Sequence, residues 1–314
     1  MKDSSGMFIL GGGAIGFSLA AHLNSSGKSA EVLRINHSAV GVIQNVSVKS
    51  GDGYILEQSV TSKPLSSISS IKGLVIITAK ANANEYLAGV LSKNSSAIDL
   101  VLMQNGIGVE RSFLNKDFRS VSRCVVYITA EKVEEGSYTA RMVKPSPIGL
   151  LEGVHEKTTD IAGTISTKTL CFYNEPNIQH EIWKKGIINT VFNSICPLLD
   201  TDNGIFYRDK TVMALAKSVV KECIPVANRA GIEISTKEII EEIIAISKMS
   251  AGQLISTLQD IRAHRETEMN YFNLEICRLA KEMKMQTDLS LTRMLGALAI
   301  KKAELTKDDL SAQG

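Results

Sequence analysis

Apolar positions in the first half of the chain come in short runs separated by glycine-rich or polar turns, and this rhythm predicts alternating strands and helices. Residues 7–10 form an apolar run before three glycines, and residues 17–23 then take up a helical pattern. Residues 30–35 read as a second strand. Residues 46–49 and 54–56 flank Ser50-Gly51-Asp52-Gly53 as a hairpin. The β-branched run 73–79 reads as a buried parallel strand, 82–91 as a helix, and 99–103 as a strand ending at Gln104-Asn105-Gly106. Runs 123–129, 148–151 and 169–173 read as further strands. The pattern predicts an α/β fold, a doubly wound sheet with extra strands at one edge.

After about residue 177 the period changes, and 180–305 is helical almost throughout. Ser235-Thr236-Lys237-Glu238 is a capping box ahead of Ile239, Ile240, Ile243 and Ile244. Thr287 or Asp288 caps a last long helix over 289–305, and the polar tail 307–314 is expected to fray. The boundary falls near 173–178, with Pro176 in the linker. It gives a domain over 1–176 and an all-α domain over 177–314.

Composition narrows the class. The 314 residues are 44% hydrophobic and 22% charged with net charge +2, so nothing favours a polyanion partner, and nucleic-acid binding is not expected. The five cysteines show no CxxC spacing and read as buried, reduced thiols of a cytoplasmic protein. The five histidines make no metal pair at helical spacing. The amino terminus has one lysine and an apolar stretch like a signal peptide, but Asp3 and the glycine run argue against that reading. No apolar run is long enough for a membrane span.

Gly11-Gly12-Gly13-Ala14-Ile15-Gly16 is a GxGxxG turn between a strand and a helix. That context is what a Rossmann-type dinucleotide site requires: close backbone approach to a pyrophosphate at a helix N-terminus. At the end of the second strand, where an acidic residue would hold a ribose 2′-hydroxyl, stands Arg34. A guanidinium suits a 2′-phosphate, so the expected cofactor is NADP(H); a solvated surface arginine is the alternative. In the helical half, Lys185, Asn189 and Asn193 recur every four residues and share one helix stripe, while Ile187, Ile188, Val191 and Ile195 point elsewhere. The stripe suits a hydroxy acid, or is a solvated face. Ser256 and Glu268 lie about 18 Å apart along a straight helix, and reach one small site only if the chain breaks near 261–265.

Taken in order, these motifs resemble the ketopantoate reductase (2-dehydropantoate 2-reductase) family over essentially the whole chain. They are the glycine loop, Arg34, Lys80 after the 73–79 strand, Gln104-Asn105-Gly106, the helix with Trp183-Lys184-Lys185, Asn189 and Asn193, and Ser256 through Glu268. The resemblance implies NADPH-dependent reduction of 2-dehydropantoate in pantothenate synthesis. It makes Lys185 the general acid and puts Asn105 where nicotinamide and substrate meet. Asn189, Asn193, Ser256 and, more weakly, Asn203 would bind the substrate. Glu268 would hold the ribose or the lysine, and Lys80 and the backbone at Ala130 would touch the cofactor. Substrate is expected between the two domains. The chemistry needs a hydride and a proton for the developing alkoxide, and an ammonium supplies both charge and proton. Gly186, where many relatives carry a larger residue, is expected to loosen the helix start or act as a hinge. Gln104, where some carry histidine, is expected to matter little. Reduction of another branched 2-keto acid, and a non-catalytic NADP sensor, are the alternatives; retention of Lys185 and Glu268 argues against the sensor. A homodimer is the oligomer to consider, although no exposed stripe marks an interface.

Overall fold

The computed structural model describes residues 6–35, 40–153 and 156–311. Asn36, His37 and Ser38, the extreme amino terminus and the end of the polar tail lie outside these. The chain divides into two compact units. The first runs to Gln104 and resumes over Val109–Ile178; the second takes Asn105–Gly108 and the chain from Gln179 onward.

In the first unit the elements are β1 (Gly6–Leu10), α1 (Ala14–Ser25), β2 (Ala30–Arg34), β3 (Val42–Lys49), β4 (Ile55–Pro64), β5 (Gly73–Ile77), α2 (Asn84–Leu91), β6 (Ile98–Leu102), β7 (Ser120–Cys124), β8 (Ile128–Glu134), β9 (Ser137–Met142), β10 (Ser146–Gly153), α3 (Glu156–Ile165) and β11 (Phe172–Asn174). They build one sheet in the order β11-β10-β7-β6-β5-β1-β2-β4-β3-β9-β8. The run β7-β6-β5-β1-β2-β4 is parallel. Because strand side chains alternate, each central strand feeds two cores. Ile9, Val32, Ile76 and Val101 pack with Leu19, Ala20 and Leu23 of α1 on one face. Leu10, Leu33, Ile77 and Leu102 pack with Leu87, Ala88 and Leu91 of α2 on the other.

The extra strands lie at both edges rather than one. The antiparallel β10 follows β7, and β4-β3-β9-β8 continues past β2. α1 touches β2 and every strand of this second extension, so the twisted sheet coils about that helix. Phe17 of α1 stacks on Tyr138 of β9 with ring centroids 5.5 Å apart. The expected single strand over 123–129 is instead the end of β7, a connection, and the start of β8. Of the cysteines, Cys124, Cys196 and Cys223 are buried, but Cys171 is exposed.

The second unit holds α4 (Ile178–Leu198), α5 (Ile205–Arg208), α6 (Lys210–Arg229), α7 (Thr236–Met249), α8 (Ser256–Arg262), α9 (Asn273–Glu282) and α10 (Ser290–Ser311), with a 3₁₀ turn over Met269–Tyr271. Polar caps fix several starts. Ser235 accepts from Glu238 N at 3.1 Å, while the Glu238 carboxylate turns to Lys184 Nζ at 3.1 Å, so only half of the expected box forms. Asp288 accepts from Ser290 N at 2.9 Å. Such caps contribute about 1 kcal/mol each. The break expected near 261–265 is present: α8 stops at Arg262, and His264 takes a left-handed φ of 54°. No helix among the described residues is long and apolar enough to cross a membrane.

Candidate active site

The glycine loop of the first unit joins β1 to α1. Gly11 has φ 134°, and a Cβ there would lie 2.4 Å from Ala79 N. A Cβ on Gly16 would lie 2.0 Å from Gly11 O, so this glycine lets the helix close on the strand. Gly12 and Gly13 are exposed and present bare backbone. Gly13 is the N-cap of α1 with no side-chain cap, and the first turn has no acidic residue. Its N–H groups therefore suit an anion. Arg34, at the end of β2, lies over the loop: a Gly12 Cβ would be 3.2 Å from Arg34 Cγ. Its Nη2 donates to Val40 O at 2.9 Å, and its buried Nε has no acceptor among the described residues. An orphaned guanidinium N–H beside an uncapped helix start fits a phosphate-bearing cofactor.

Neighbouring strand ends complete this rim. Thr78, just past β5, donates through Oγ1 to Gly11 O at 3.1 Å, and the half-buried Lys80 follows two residues later. Gln104, after β6, forms a reciprocal amide pair with Asn84 of α2 (2.6 and 2.9 Å) and donates to Ala79 O at 2.7 Å. Asn84 also donates to Val109 O at 2.7 Å, which ties both flanks of the Asn105–Gly108 excursion. The buried Arg123 pairs with Glu110 and donates to Gln104 O at 3.1 Å. Gln104 is thus a structural clamp, contrary to the expectation that it matters little. None of Asn84, Glu110 and Arg123 carries a local pattern that marks it in sequence. Ala130 sits within the edge strand β8, paired with Ala140, and packs on the same core as Ala14 and Ile15.

In the second unit, α4 carries the polar stripe. Lys185 and Asn189 are half-buried and Asn193 is 1% exposed, while Ile187, Val191 and Ile195 fill the core. Lys184, one residue earlier, points to a different partner set. Burial works against its charge, but the bond to Glu238 and the charges of Glu242, Glu238 and Glu181 raise its pKa overall. Gly186 does not stand at the helix start, since α4 begins eight residues earlier at Ile178. It is buried inside α4, where glycine costs about 0.5–1 kcal/mol relative to alanine. A Cβ there would lie 2.5 Å from Ile107 Cγ1, so the missing side chain makes a notch for Ile107. Ile107 N donates to Tyr271 O at 2.9 Å, and Tyr271 N donates to Glu268 O at 2.9 Å. Ile107 thereby links the residue after Lys185 to the turn that follows Glu268.

A second cluster gathers at the start of α8. Asn193 Oδ1 accepts from Ser256 Oγ (3.3 Å), Thr257 N (3.4 Å) and Thr257 Oγ1 (2.8 Å). It caps a helix whose own N-cap residue, Ile255, offers no side-chain oxygen. Asn203 N donates to Gln253 O at 2.9 Å, three residues before Ser256. Asn203 is 7% exposed, and its Oδ1 has no hydrogen-bond partner among the described residues. A buried acceptor without a donor costs about 1–3 kcal/mol, which a ligand hydroxyl would relieve. Asp202 accepts from Gly204 N at 2.7 Å and Gly252 N at 2.9 Å, holding the two loops together. Its pairing with Arg208 and these N–H groups keep its carboxyl well below the usual range.

A dinucleotide loop on a doubly wound sheet, joined to a helical unit with a lysine–amide stripe, defines a nicotinamide-dependent oxidoreductase. Two family models match the chain: "Ketopantoate reductase PanE/ApbA" over residues 7–152 and its C-terminal counterpart over residues 177–302. The chain belongs to the ketopantoate reductase family and is an oxidoreductase that takes NADP(H). It is 26% identical to the 2-dehydropantoate 2-reductase of Pyrococcus horikoshii over 305 residues, covering 95% of this chain and 98% of that one. Among solved structures, D-mandelate dehydrogenase with NADH and anilino(oxo)acetate shares the fold at TM-score 0.82 and 21% identity, over 96% of this chain and 99% of that one. A dimeric ketopantoate reductase from Staphylococcus aureus does so at TM-score 0.78 and 18% identity, with the same coverage.

Proposed function

We propose that this protein reduces a 2-keto acid, 2-dehydropantoate first among them, to the 2-hydroxy acid of pantothenate synthesis, acting in the cytoplasm on a diffusible substrate. The observation that supports the reading is the seat of Ile107, two residues after Asn105, against Gly186, the residue after Lys185, with the Ile107 N–H on Tyr271 O, three residues past Glu268; the same helix carries Asn189 and Asn193, the latter bonded to Ser256. Residues 1–176 would serve as the NADP-binding domain and 177–314 as the helical substrate domain.

NADPH, when bound, supplies the hydride. The glycine loop, Gly11 to Gly16, would cradle its pyrophosphate and Arg34 its 2′-phosphate, with Lys80 and the Ala130 backbone as further contacts. Lys185 donates the proton to the substrate oxygen as negative charge builds there. Glu268 holds that ammonium or the cofactor ribose, and Asn105 orients the carbonyl. Asn189, Ser256 and the orphan Oδ1 of Asn203 bind the hydroxyl and carboxylate, with Asn193 fixing Ser256 and offering its amide nitrogen. Reduction of a different 2-keto acid is the second reading, since D-mandelate dehydrogenase shares the fold.

The test follows NADPH oxidation with 2-dehydropantoate, other branched 2-keto acids and phenylglyoxylate. Lys185→Ala is expected to lower kcat about 10²–10⁴-fold while leaving NADPH affinity intact. Wild-type turnover in that variant would remove Lys185 from the chemistry. Preference for phenylglyoxylate would select the second reading.

A further inference from the structure

We propose that Gly186 is a positioning residue: the notch it leaves in α4 seats Ile107 and so sets Asn105 against the turn that carries Lys185. The inference rests on the catalytic reading of those two residues given above. Four observations on the second unit carry it. Gly186 is buried in the middle of a 21-residue helix, where glycine is the poorest common helix former after proline. A Cβ at this position would lie 2.5 and 2.6 Å from Ile107 Cγ1 and Cδ1, against an ordinary carbon–carbon separation of about 3.5–4.0 Å. Ile107 is 3% exposed, and its N–H is held by Tyr271 O at 2.9 Å, so it meets the helix on one side and the Glu268 turn on the other. Gly106 and Gly108, with φ of 109° and 73°, let the segment make the two sharp bends that this seat requires.

Adding one methyl at position 186 would displace Ile107 by about 1 Å, a shift that is enough to cost about a hundredfold when it moves a reacting group. Asn105, two residues away, would move with it. Gly186→Ala is expected to lower kcat about ten- to hundredfold, with KM for the keto acid less affected and NADPH affinity unchanged. Ile107→Ala empties the seat. In the Gly186→Ala/Ile107→Ala double variant the new methyl occupies that space, and most of the lost turnover should return relative to Gly186→Ala. Hydrogen exchange at the Ile107 amide supplies a readout independent of turnover: faster in Gly186→Ala, and slowed again in the double variant.

Unchanged kcat and unchanged Ile107 exchange in Gly186→Ala would overturn the proposal. So would simple additivity of the two substitutions. Should Gly186→Ala fail to fold, Ile107→Leu, which moves the branch point within the notch, is expected to give the same fall in kcat and faster exchange, and wild-type values there would equally refute the seat. If the wild-type protein reduces no 2-keto acid, the catalytic reading fails, while the exchange measurements still decide whether Gly186 seats Ile107.

Discussion

Removing Glu110 offers the sharpest test of how the Asn105 excursion is supported. Arg123 lies on β7 with its side chain 2% exposed, and it pairs with Glu110, whose side chain is 11% exposed. The second guanidinium nitrogen donates to Gln104 O, directly before the excursion. In Glu110→Ala the guanidinium stays buried without its counter-charge, which costs about 3–5 kcal/mol. In a unit of this size each kcal/mol lowers the melting midpoint by about 2–4 °C, so a fall of about 6–20 °C is expected by scanning calorimetry. Replacing both partners, as Glu110→Leu/Arg123→Met, removes the buried charges together and is expected to restore most of the midpoint, because an apolar pair needs no desolvated counter-ion. Turnover should not return in step, since the double variant also loses the bond to Gln104 O. A fall of less than about 2 °C in Glu110→Ala, or a double variant no more stable than the single one, would refute the reasoning.

Three further outcomes follow from particular contacts. Arg34→Ala is expected to weaken NADPH binding about ten- to hundredfold and NADH binding little, measured by fluorescence titration, because it removes charge-assisted bonds worth about 1.5–3 kcal/mol. Equal losses for both cofactors would exclude the 2′-phosphate role. Burial pulls the pKa of His22 below 6.5, outweighing the opposite pull of its 2.7 Å contact with Ser18 O. The unfolded chain then binds the proton more readily, so stability is full above about pH 6.5 and falls on acidification. His22→Gln should flatten the midpoint-against-pH slope between about pH 5 and 7.5, where a histidine titrates. Asn193→Ala leaves three donors at the start of α8 without their acceptor. A loss of about 1–3 kcal/mol in urea unfolding is expected, with a raised KM for the keto acid as Ser256 loosens.

Much of the fold was legible because it depends on local periodicity. The central strands carry apolar residues on both faces, and the structure uses both, Ile9 one way and Leu10 the other. Asp288 and Ser235 were readable as caps because a cap acts within three residues. What sequence reading missed depends on distance. The apolar pattern merges β8 with the end of β7 because residues 125–127 between them are as apolar as a strand, although they only connect the two. The clamp formed by Asn84, Gln104, Glu110 and Arg123 is assembled across separate elements, and a single amide or arginine carries no period. Gly186 stands out in the sequence as an unusual residue, but a sequence shows a missing side chain and not what fills its place.

The candidate site divides the same way. Helix phase alone separates two adjacent lysines: a step of one residue turns the side chain by about 100°. Lys184 thereby reaches Glu238 on α7 while Lys185 joins the line of Asn189 and Asn193. That distinction was available from spacing. The division of labour among the amides was not. Asn193 and Asn203 look equivalent as substrate ligands, yet the oxygen of Asn193 already caps α8 while the oxygen of Asn203 is buried without a donor. A cap residue is needed with or without ligand, so its removal should damage stability and substrate affinity together. An orphan acceptor stores its cost in the empty protein and recovers it when a hydroxyl arrives. Asn203→Leu, which keeps the branched shape and removes the unsatisfied oxygen, should therefore leave the fold about as stable, while weakening binding of the product hydroxy acid by about 1–3 kcal/mol, read from its inhibition constant. Loss of stability without loss of affinity would make Asn203 a structural amide and move the substrate contacts back to Asn189 and Ser256.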